Sequence, residues 1–108
     1  MRESSISDFN IKLPEVGDFV FARRTMGDMI NIRIEYVKLV GPYGDTDSEL
    51  VYFGGFVAAY KILMVFCPAG WEDISAMDLN KPGIFEKIME LARLLREKES
   101  SFRGAAQS

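Results

Sequence analysis

Thr25-Met26-Gly27-Asp28-Met29-Ile30-Asn31-Ile32-Arg33-Ile34-Glu35-Tyr36-Val37-Lys38-Leu39-Val40 is the stretch on which the fold turns, because it carries two periodicities at once. Ile30, Ile32 and Ile34 alternate with Asn31, Arg33 and Glu35, the period of a half-buried strand. At helical spacing, Asp28, Asn31, Glu35 and Lys38 instead share one polar stripe, while Met26, Ile30, Ile34 and Val37 line another face. Thr25 is a suitable N-cap with Asp28 as an imperfect capping-box partner, and Gly41-Pro42 stops the run where a helix should end. Sixteen residues is also long for a strand. The pattern favours a helix and leaves the strand open.

Downstream, Gly41-Pro42-Tyr43-Gly44-Asp45-Thr46-Asp47 reads as a loop, after which Ser48 resembles a helix cap with Glu49 in the first turn. The apolar run from Leu50 to Cys67 places Phe53, Val57, Tyr60, Met64 and Cys67 along a seam of alternating four- and three-residue steps, as on a packed helix. Its other faces are nearly as apolar, which raises the question of a membrane span. Lys61 in its interior would cost about 2.5–3.5 kcal/mol at a bilayer centre, Gly54-Gly55 weakens the helix, and basic anchors are missing from its flanks. A central helix of a bundle, completed within the chain or by a neighbouring subunit, fits better. Pro68 ends it, Ala69 to Asp73 turn the chain, and a short segment covers Ile74 to Leu79. Pro82 and Gly83 then open a last helix in which Ile84, Phe85, Ile88, Leu91, Ala92 and Leu95 fall on one stripe opposite Glu86, Lys87, Glu90, Arg93, Arg96 and Glu97.

Upstream, residues 1–8 are polar and read as a flexible arm. Phe9 to Leu13 alternates like a strand, Pro14 to Asp18 supplies a turn of four to five residues, and Phe19 to Arg23 is β-prone. The expected fold is therefore mostly α, of the α+β kind, with an N-terminal β-hairpin followed by a small bundle of three main helices. One globular domain over 9–103 is expected, with 104–108 as a frayed tail.

Composition narrows the function. The 108 residues contain no histidine, which removes the commonest general base, the Ser/His and Cys/His nucleophile pairs and most catalytic zinc sites. A formal net charge of −3 lacks the basic footprint of a nucleic-acid binder, so neither nucleic acid nor membrane is expected as a partner. Cys67 is the single cysteine, a pattern that fits a reducing cytoplasm, and no apolar signal segment follows the first five residues.

The remaining motifs carry little chemistry. Asp45, Asp47 and Glu49 imitate the start of a calcium loop, but Leu50 and Phe56 stand where Gly and Glu are required. The glycines at 41, 44, 54 and 55 match no phosphate or dinucleotide loop. Glu72 and Asp73 read as a solvated turn before they read as an acid/base pair. Cys67 reads as a small core residue, and Arg23-Arg24 as a strand end or a contact for an acidic partner. Neither a cofactor nor a metal is expected, and the chain reads as a binding protein, not an enzyme.

From about Leu13 to Arg103 the order of features resembles the tail assembly chaperones of long-tailed bacteriophages and prophages. The resemblance rests on Leu13-Pro14 with Gly17, the run Phe19-Val20-Phe21-Ala22-Arg23-Arg24-Thr25-Met26-Gly27-Asp28, and Ile34-Glu35-Tyr36 before a Gly-rich loop. It continues in the apolar helix ending at Pro68-Ala69-Gly70-Trp71, in Asp73 and Asp78, and in Glu99-Ser100-Ser101-Phe102-Arg103. It tips the 25–40 stretch further toward helix. It also implies a homo-oligomer that coats the long helical tape-measure protein, keeps it soluble while the tail tube forms, acts in the cytoplasm of the bacterial host, and is absent from the mature virion. A second, longer form made by programmed ribosomal frameshifting, recruiting the tail-tube protein, is part of the same implication. The competing expectation is a small structural virion protein, a head–tail connector or a tail-completion protein. Trp71, Phe85, Ile88 and Leu95 are the candidate partner-binding residues, each of which also reads as core.

Overall fold

The computed structural model describes residues 2–41 and 47–107; the loop expected at 41–47 lies outside the described residues from Pro42 to Thr46. Strand β1 (Phe9–Leu13) buries every second side chain, and β2 (Gly17–Phe21) returns antiparallel with Phe9 opposite Phe21 and Leu13 opposite Gly17. The connection is thus only Pro14-Glu15-Val16, shorter than the sequence suggested, because Gly17 and Asp18 already pair. Glu15 takes a left-handed φ of 69° in this turn. Gly17 has φ 139°, and a Cβ there would lie 3.2 Å from Pro68 Cγ, so glycine serves both the turn and the close packing.

Helix α1 (Met26–Val40) settles the ambiguous stretch. Thr25 Oγ1 accepts from the Asp28 N–H at 3.1 Å, and Asp28 Oδ2 accepts from the Thr25 N–H at 2.9 Å, so the capping box is complete. Gly41, at φ 59°, ends the helix. Helix α2 (Ser48–Leu63) is capped by Asp47, whose Oδ1 accepts from the Glu49 and Leu50 N–H groups, and not by Ser48 as the sequence suggested.

The apolar run does not stay helical to Cys67. After Leu63 the chain becomes strand β3 (Met64–Phe66), which pairs with β2 through Val20–Phe66 and Phe21–Met64. The Leu63 carbonyl accepts from Ala22 N–H at 2.8 Å where helix passes into strand. The hairpin is therefore part of a three-stranded antiparallel sheet of order β1-β2-β3. A single 3-10 turn at Ile74–Ala76, capped by Asp73, leads to helix α3 (Ile84–Gln107), which takes in most of the expected tail.

The inner face of the sheet meets the helices around Tyr60. Phe19 and Phe21 are edge-on to its ring at 6.3 and 5.8 Å, Phe56 lies 6.0 Å away, and Trp71 is edge-on to Phe19 at 5.4 Å. The Tyr60 hydroxyl donates to the Trp71 carbonyl at 2.5 Å, so the buried phenol is satisfied. At the far end, Phe9 packs edge-on to Phe102 of α3 at 5.0 Å. No described helix is long and apolar enough to cross a membrane.

Candidate functional site: an apolar helix face beside a basic-rimmed trough

Helix α1 turns an unexpected side inward. Its buried row is Asp28, Ile32, Tyr36 and Val40, spaced by four residues, and Tyr36 and Val40 press onto Gly54 of α2. Asp28, read from sequence as part of the polar stripe, is buried because its carboxylate caps the helix and accepts from Arg2 Nη1 at 2.7 Å. Burial alone would raise its pKa, but the hydrogen bonds from Arg2 and Thr25 outweigh that and hold it below the ordinary carboxylate range.

The consequence falls on the opposite side. Met26, Ile30, Ile34 and Val37, the row that looked like the natural packing face, is exposed, with Met26 72% accessible. Nine of the fifteen α1 residues are large and apolar, more than one packed stripe can absorb, and that excess was the signal available in sequence. Glu35 of that polar stripe bridges Lys38, one turn on, to Lys61 of α2; the Lys61 hydrogen bond is the main cause of its lowered pKa.

Beside this row lies a trough bounded by α1, α2 and α3. It consists of two hollows of about 460 and 370 Å³ that share Arg24, Met29, Ile32 and Gly55. Ile32, Phe56, Ala59, Ala92 and Leu95 form the apolar floor of the larger one. The rim is cationic: Arg33 on α1 lies 5.4 Å from the Tyr36 ring, Arg96 on α3 lies 5.9 Å from the Tyr52 ring, and Arg103 stands farther along α3. Arg24 is already spent on Glu99, with Nε and Nη2 donating to its two oxygens at 3.1 and 3.0 Å. Among the described residues Arg33, Arg96 and Arg103 enter no ion pair.

The residues singled out from sequence lie elsewhere for the most part. Trp71 and Ile88 are core side chains, and Leu95, 3% accessible, belongs to both the core and the trough floor. Phe85 is 42% accessible and packs edge-on to Phe53 at 6.2 Å, away from the trough. Arg23, exposed just past the end of β2, lies over the Phe102 ring at 3.7 Å. Glu72 and Asp73 both serve turns, accepting from the Gly70 and Ser75 N–H groups, and Cys67 is buried with its thiol pKa pushed up chiefly by burial. Among the described residues no three His, Cys, Asp or Glu side chains gather as metal ligands would. No protein-family model, curated protein or solved structure matches this chain.

Proposed function

We propose that this chain is a non-catalytic tail assembly chaperone of a long-tailed bacteriophage or prophage. It oligomerises, binds the tape-measure protein in the cytoplasm of the bacterial host, and keeps it soluble until the tail tube assembles. The observation that carries the reading is the exposed Met26-Ile30-Ile34-Val37 row, together with a separate apolar trough lined by the neighbouring face of α1 and by α2 and α3. A 12.2 kDa domain that leaves this much aliphatic surface uncovered has a partner for it. Helical partners seat an apolar face into such depressions, and tape-measure proteins are long helices. The ordered resemblance from Leu13 to Arg103 supplies the biological setting, including a frameshift-extended form that contacts the tail-tube protein.

The test is co-expression of the tape-measure gene of the same phage with and without this chain. Soluble tape-measure protein that co-purifies with the chain, and aggregates without it, is the expected result. Equal tape-measure solubility in both cultures overturns the chaperone role. Stoichiometric recovery of the chain in purified particles would instead support a connector or tail-completion protein.

A further inference from the structure

Gly54 and Gly55 sit side by side in the interior of α2, where each glycine weakens a helix relative to alanine. Only Gly54 is explained by the fold. A Cβ at Gly54 would lie 2.7 Å from Val40 Cγ1 and 3.3 Å from the Tyr36 ring, so α1 could not approach. At Gly55 a Cβ would meet nothing within 4 Å, although the residue lies where the two hollows of the trough join. The helix thus carries a bare backbone in the lining shared by both hollows, and no contact among the described residues requires it. Such a position admits the close approach of another backbone.

The rim identifies what approaches. Among the described residues Arg33, Arg96 and Arg103 ring the trough without an ion pair, and Glu99 is the only carboxylate lining it and is held by Arg24. The trough is therefore a local concentration of positive charge on a chain whose net charge is −3. We infer that the trough over Gly55 receives a single amphipathic helix that lays its apolar face onto Gly55 and Ile32 and presents carboxylates along its flanks to Arg33, Arg96 and Arg103. This rests on the chaperone reading and specifies the client segment: an acidic-flanked helix, and not a basic or uncharged one.

The test measures binding of the co-expressed tape-measure protein to four forms of the full chain: wild type, Gly55→Trp, the double variant Arg33→Glu/Arg96→Glu, and a control, Lys12→Glu/Lys81→Glu, which makes the same charge change outside the trough. Wild type and control retain the client, while the Gly55 and arginine variants weaken binding by about tenfold or more. Thermal melts accompany each form; if Gly55→Trp does not fold, the arginine pair decides. Unchanged binding by a folded Gly55→Trp overturns the docking site. Unchanged binding by the arginine variant, or an equal loss in the lysine control, overturns the acidic-flanked occupant. Absence of binding by wild type itself removes the chaperone reading, and the inference with it.

Discussion

Asp28 is the residue on which most local requirements converge. It closes the capping box of α1, holds Arg2 of the N-terminal segment, and is buried while doing so. Replacing it by alanine leaves the Thr25 N–H without its acceptor and the Arg2 guanidinium with only the Ile62 carbonyl, and should cost about 1–3 kcal/mol in urea unfolding at pH 7. Because its folded pKa is lowered, the stabilisation is complete above the ordinary carboxylate value of about 4 and is lost as pH falls through the lower folded value. The difference between wild type and Asp28→Ala should therefore narrow below about pH 4. A gap that is the same at pH 7 and pH 3 would remove the ionic part of this account.

The two glycines of α2 provide a paired prediction at the same scale. Gly54→Ala forces Val40 or Tyr36 to move and should destabilise by about 1–3 kcal/mol, since a β-branched valine cannot swing clear. Gly55→Ala meets open space and should stabilise by about 0.5–1 kcal/mol. Chemical denaturation of the two variants should give opposite signs. Shifts of the same sign would mean that the α1–α2 contact is not as close as described.

Among the elements, α1 shows what pattern can and cannot disclose. Its ends were legible because caps are local: Thr25, Asp28 and Gly41 lie within one turn of the groups they satisfy. Its buried face was not, because both rows are apolar and only the apposition of Gly54 to Tyr36 and Val40 decides between them. The same blindness explains α2, where an unbroken apolar run from Leu50 conceals the change at Leu63 from helix to strand. That change depends on the open edge of β2, about forty residues earlier, and no periodicity in the run records it. The stripe of α3 was legible, since its polar and apolar sides differ. The rim of the trough was not, since Arg33 and Arg96 come from the first and last helices, with all of α2 and β3 between them in sequence. Ile30→Lys/Ile34→Lys, on the outer row, should change stability by no more than about 0.5 kcal/mol per site, whereas Ile32→Lys, on the opposite and buried face of the helix, should cost at least about 2–5 kcal/mol. Both are read at a protein concentration low enough for the monomer, where comparable losses for the two would mean that the outer row is packed within the chain itself.

For the whole molecule, the two surfaces differ in the force they would use, and ionic strength separates them. The outer row of α1 offers only aliphatic contact, so self-association through it should persist as salt rises and should strengthen in sulfate. Light scattering should then give a mass above 12.2 kDa that falls to the monomer in Ile30→Lys/Ile34→Lys. The trough depends in addition on Arg33, Arg96 and Arg103, whose reach shrinks as the Debye length falls from about 30 Å at 0.01 M to about 3 Å at 1 M salt. Client binding should weaken across that range while the oligomer stays intact. A strictly monomeric mass at high protein concentration removes the aliphatic contact between copies. Client retention that is indifferent to salt removes the arginines from recognition and leaves the floor of the trough to hold the helix alone.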